Sequence, residues 1–120
     1  MTVARLVYGG NRRTRESTIA ALASPETRSV AILEGLAVDE RALASSAPLT
    51  ILRIAPGCPC CTGNLTLRVT LNRVLRQAPD TLFLSLADAS HRESVKSFLQ
   101  QEQYCGRLEL GSDIDCGPAS

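Results

Sequence analysis

Four short apolar runs govern what this chain can fold into: Val3–Tyr8, Ser29–Leu33, Leu49–Ile54 and Thr81–Leu86. Each is apolar nearly throughout rather than at alternate positions, as expected of strands buried on both faces. The first stops at Gly9-Gly10, and the segments between the runs carry helical signals. Ser17–Ala23 reads as a helix ended by Ser24-Pro25, after a polar, basic loop at Asn11–Arg15. Leu67, Leu71, Val74, Leu75 and Ala78 recur at helical spacing ahead of Pro79-Asp80. Ser90 and Glu93 match a capping box, and Val95, Phe98 and Leu99 share a face of the helix it would open. A short helical stretch is expected around Asp39–Ala44, and a short fifth strand at Arg107–Leu110. Strands alternating with helices define an α/β class, a mostly parallel sheet flanked by helices. Residues 1–110 read as a single domain, and the small, polar residues 111–120 as a flexible tail.

A chain of 120 residues suits one core of ordinary size, and 44% hydrophobic with 21% charged residues is a globular composition. Aromatics make up only 3% and Trp is absent, so Leu, Val, Ile and Ala must fill the core. The same scarcity argues against a protein that stacks nucleic-acid bases, and a net charge of +1 against DNA or an anionic membrane as partner. No apolar stretch approaches the roughly 20 residues of a membrane span. The arginines near the start follow a short apolar run, the reverse of a secretory signal, so a cytoplasmic protein is expected. Charge is uneven along the chain. Residues 41–79 hold arginines at 41, 53, 68, 73 and 76 and no acid, whereas acids predominate over bases in residues 80–120.

Two segments carry candidate chemistry. The first is the strand, loop and helix at Val7–Thr18. A phosphate-binding loop needs G-x-x-x-x-G-K-[ST]: glycines for a backbone cradle, Lys for the outer phosphates, a hydroxyl for Mg²⁺. Gly9 fits the first position, but Thr14, Arg15 and Glu16 stand at the other three. A carboxylate at the Mg²⁺-ligand position also places negative charge near phosphate. The expectation is a structural turn with a basic surface, where Gly9 and Arg15 mark a degenerate phosphate loop and Arg12, Arg13 and Arg15 could offer weak anion binding.

The second is Ala55–Gly63, a Pro/Gly-rich loop containing Cys58, Cys60 and Cys61, three of five cysteines. In a reducing compartment, such clustering points to metal or redox chemistry rather than a disulfide framework. C-x-C spacing can chelate one ion, and thiolates select Zn²⁺ or another thiophilic ion. A helix N-terminus just beyond would favour the thiolate form. Small buried hydrophobes or a redox pair are the alternatives. A fourth ligand would come from water, a partner, or one of His91, Cys105 and Cys116, which are chemically able. His91 itself, near Asp88 and Glu93, reads as a solvated residue at the start of its helix.

With the strand pattern and the cysteine loop in view, the chain resembles the N-terminal half of the CobW-type GTPase domain. The resemblance runs through SVAILEG, APGCPCCTGNL and LRVTLNRVLRQAPDTLFLSLAD, over residues 3–110, and its specific part is Gly57-Cys58-x-Cys60-Cys61. It implies a fold like a truncated P-loop NTPase domain, and a metallochaperone or metal-insertion setting with the three cysteines as metal ligands. The departures fall on the nucleotide machinery. Arg15 and Glu16 replace the family's Lys and Ser/Thr. Ser85, Leu86, Ala87 and Asp88 replace its Glu, Thr/Ser, Ser and Gly, and residues 34–38 replace its Asn-Glu-Phe-Gly-Glu. The resulting expectation is a non-hydrolytic, Zn²⁺-type thiolate protein to which GTP is an unlikely ligand. The rival expectations are an interaction module, pairing with itself or with a full-length CobW-type partner, and residual nucleotide binding.

Overall fold

The computed structural model describes residues 2–23, 26–34, 49–54, 65–86, 90, 92–101, 104 and 106–117. Strand β1 (Thr2–Tyr8) leads to α1 (Arg12–Leu22), followed by β2 (Ser29–Glu34) and β3 (Leu49–Ile54). Helix α2 (Leu65–Arg76), β4 (Thr81–Ser85) and α3 (Arg92–Leu99) come next, then β5 (Leu108–Leu110) and β6 (Ile114–Asp115). The sheet order is β3-β2-β4-β1-β5, with β6 also paired to β1, and every described pairing is parallel. The α/β class expected from the sequence is therefore the class observed.

Helices cover both faces. On one face Leu71, Val74 and Leu75 of α2 and Val95, Phe98 and Leu99 of α3 pack on Ala4, Leu6, Val30, Ile32, Leu82 and Leu84. On the other, α1 presents Ile19 to Val7, Ala31, Leu33 and Phe83. The single ring pair in this part of the core is Phe98 against Tyr104, with centroids 5.5 Å apart. Burial of this aliphatic set, at about 25 cal/mol per Å² of apolar surface, is the main stabilising force.

The structure corrects several boundaries. Helix α1 begins at Arg12, so residues 12–15 are helix and not loop. Asn11 is its N-cap: its Oδ1 accepts from the Thr14 N–H at 2.8 Å and from the Thr14 hydroxyl at 3.0 Å. Helix α2 ends at Arg76, which leaves Ala78 exposed beyond it in the left-handed region at φ 47°. The amides of Gln77 and Ala78 still close onto Val74 and Leu75. Helix α3 begins at Arg92, one residue later than a Ser90 cap implies, and Glu93 lies in its first turn.

Residues 111–117 do not fray from the sheet. Leu108–Leu110 pair with Thr2–Ala4, and Ile114–Asp115 pair with Val7–Tyr8 on the same side of β1. Between them, the Gly111 N–H donates to the Ala4 carbonyl at 2.8 Å and Arg5 Nε donates to the Ser112 carbonyl at 3.0 Å. Lys96 of α3 reaches Asp113 across 2.6 Å. The helical stretch expected at Asp39–Ala44 lies outside the described residues.

Candidate functional site

In open parallel sheets, ligands bind beyond the carboxyl ends of the strands, where successive crossovers leave in opposite directions. Here that place lies between β1 and β4. The connection from β1 crosses β4 to reach β2, while the one from β4 crosses β1 to reach β5. Gly9 and Gly10 close one side of this crevice and Ser85 with Leu86 the other, and the Leu86 N–H donates to the Val7 carbonyl at 2.8 Å.

The crevice is filled by the chain's own side chain. Arg15 is only 6% exposed. Its Nε donates to Ser85 Oγ at 3.1 Å, and Nη1 donates to the carbonyls of Gly9 and Gly10 at 3.2 and 3.3 Å. The planar guanidinium spans acceptors on both strands, a set that one ammonium could not reach together. Its neighbour Glu16 is 4% exposed. Arg53 of β3 grips it with two parallel bonds, Nη1 to Oε2 at 3.2 Å and Nη2 to Oε1 at 3.1 Å, and Arg12 adds Nη1 to Oε2 at 3.2 Å. The two side chains standing where a phosphate loop has Lys and Ser/Thr are thus both buried and both bonded to protein.

The backbone differs from a phosphate cradle as well. A cradle needs its residues unwound, with N–H groups turned inward. Helix α1 has already begun at Arg12, leaving only Gly9, Gly10 and Asn11 between strand and helix. The Gly10 N–H donates to the Gly117 carbonyl at 2.8 Å, and the Cys116 N–H donates to the Tyr8 carbonyl at 2.8 Å. Gly9 has φ +79°, and a Cβ there would collide with the Gly117 carbonyl oxygen, so the crossing of residues 115–117 requires glycine at this position.

Of the residues singled out from the sequence, Gly9 and Arg15 meet at this crevice, and Arg12 joins Glu16 on the same helix. Arg13 is exposed. Cys58, Cys60, Cys61, Cys105, His91 and Asp88 lie outside the described residues. Cys116 is half-buried beside α1, its thiol 3.6 Å from the Thr18 hydroxyl. Among the described residues, no three His, Cys, Asp or Glu side chains converge to hold a metal. No described helix is long and apolar enough to cross a membrane.

Sequence reasoning named Ser85 only as a departure from a nucleotide site, and missed Arg53 and the 115–117 crossing as parts of this site. The Asn11 and Thr14 spacing was the one local signal that could have moved the helix start and turned Arg15 inward. The chain matches no family model, no curated protein and no solved structure at a significant level.

Proposed function

We propose that the protein is a non-hydrolytic, cytoplasmic metal-binding protein on a CobW-like scaffold. Cys58, Cys60 and Cys61 would hold a thiophilic divalent ion such as Zn²⁺ as cargo for delivery or homeostasis. The donor set suits such an ion, since three closely spaced thiols favour soft or borderline cations over Mg²⁺ or Ca²⁺. The observation that carries the non-hydrolytic half is the bonding of Arg15 and Glu16. A nucleotide phosphate would have to displace Arg15 from the buried Ser85 hydroxyl and the part-buried Gly9 and Gly10 carbonyls, and approach a carboxylate where Mg²⁺ needs a hydroxyl. The described anchors on either side of the cysteine segment also suit the reading. Strand β3 ends at Ile54 and α2 starts at Leu65, so the chain enters the segment from the sheet end that bears Arg15.

Native mass spectrometry of reduced protein tests both halves. The expected result is one thiophilic ion per chain and no retained nucleotide after incubation with GTP and Mg²⁺. A chain that takes up neither Zn²⁺ nor Co²⁺ overturns the metal reading, and conversion of GTP to GDP and phosphate overturns the non-hydrolytic one.

A further inference from the structure

On the face of the sheet opposite Arg15, a cleft of about 220 Å³ lies between the edge strand β3 and helix α2. Its shape follows from the fold. Helix α2 sets Leu71, Val74 and Leu75 into the core, which leaves the outer flank of β3 less covered. Thr50 and Leu52 point to this side from β3, and Val30 stands next to Thr50 in register on β2. Across from them, Thr70, Arg73, Val74 and Gln77 of α2 and the turn after it form one helical stripe at spacings of three and four.

We infer that this cleft binds a small organic carboxylate, with its apolar body on Val30, Leu52 and Val74 and its carboxylate at Arg73. Three features of the cleft select that ligand. Its volume exceeds the about 150 Å³ of an apolar cavity that accommodates benzene, and it falls short of the about 300 Å³ where drug-sized sites begin. Its floor is apolar, while Thr50, Thr70 and Gln77 supply neutral hydrogen-bonding groups around it. Its described lining residues include arginine and no acid, and Arg68 and Arg76 on the same helix add to the positive field. Arg73 presents a planar fork to a carboxylate, a geometry that a point charge lacks. Arg53 contributes to the wall while its guanidinium is held by Glu16. The inference uses none of the cysteines, so it stands independently of the proposed metal binding.

Amide-resolved NMR titration of the full chain with benzoate tests it, with benzamide as neutral isostere and inorganic phosphate as bare anion. Benzoate is expected to give saturable shifts at residues 50–52 and 70–77, and benzamide and phosphate to bind at least about tenfold more weakly. R73Q is expected to weaken benzoate binding about tenfold, the scale of one charge-assisted hydrogen bond. R76Q removes the same charge from the same helix outside the cleft and should change affinity less than about twofold. Both residues are exposed, so neither variant threatens folding. No saturable shift with benzoate overturns the inference, as does equal binding of benzamide or phosphate. Equal weakening by R73Q and R76Q also overturns it, because the response would then be to the field of the helix and not to the cleft.

Discussion

The Arg15 guanidinium donates to the Ser85 hydroxyl across 3.1 Å, joining the first helix to the end of the fourth strand, 70 positions along the chain. With the Gly9 and Gly10 carbonyls as further acceptors, the side chain occupies the crevice where a parallel sheet ordinarily receives its ligand. What would be a binding site is instead a tertiary contact.

Arg15→Lys should therefore destabilise the fold and fail to create a nucleotide site. The ammonium cannot serve both strands together, and leaving the buried Ser85 hydroxyl without this partner costs about 1–3 kcal/mol. Thermal unfolding should show a midpoint several degrees lower. Isothermal titration with GTP and Mg²⁺ should show no saturable heat, whereas micromolar binding would mean that Arg15 alone was blocking a competent loop.

Glu16→Gln should cost more. It removes the charge that Arg53 grips at two points and Arg12 at a third, leaving a largely buried guanidinium beside a neutral amide. Breaking one partner of such a pair costs about 3–5 kcal/mol, and replacing both partners by apolar groups costs less. A double-mutant cycle in urea should thus find Glu16→Leu with Arg53→Met more stable than Glu16→Leu alone. Strict additivity of the two changes would show that the contact contributes no coupling.

Ala78→Gly should stabilise the protein. Ala78 sits just past α2 at φ 47°, exposed, in a conformation that disfavours any Cβ. Glycine relieves that strain at the residue where helices favour it, for a net gain of about 0.5–1 kcal/mol. Chemical denaturation should show a higher midpoint with an unchanged slope.

Alkaline stability should depend on Lys96. Its hydrogen bond to Asp113 raises its pKa above the ordinary 10.5, so the folded chain holds this proton more tightly than the unfolded chain. The stabilisation is fully present below the ordinary value and is lost as pH rises through the raised one. Denaturation curves for the native chain and Lys96→Met should differ at neutral pH and converge in strongly alkaline solution. A constant difference across that range would mean that Lys96 stabilises through packing instead.

Cys60→Ala should abolish stoichiometric metal binding under the proposed function, because it breaks the C-x-C chelate. In the native chain, binding should weaken as pH falls, since thiols must give up protons to bind. Circular dichroism should remain that of a folded protein in the variant and after chelation. Cooperative unfolding on chelation would make the metal structural and remove the delivery role.

The sheet was legible because it is parallel and interior. Val3–Tyr8 and Thr81–Ser85, neighbours in the sheet, bury apolar side chains on both faces, and the edge run Leu49–Ile54 is still mostly apolar. That Arg15 and Glu16 do not meet the residue requirements of a phosphate loop was legible too. Their destinations were not. The Glu16–Arg53 contact spans 37 positions, and nothing local to either residue announces it. Strand β6 escaped notice because Ile114 is a single apolar residue among Gly, Ser and Asp, and its pairing depends on β1 already being in place.

The central position of β1 bears on how the molecule is made. Its flanks are completed by β4 on one side and by residues 108–115 on the other, with Arg5 bonded to a residue 107 positions later. During synthesis, this apolar strand emerges before both of its neighbours and has to wait for them. Contacts so distant in sequence slow folding and leave hydrophobic surface open to chaperones or to mispairing meanwhile. Rapid translation of the later segment should therefore favour the yield of folded protein more than any gain in the local stability of β1.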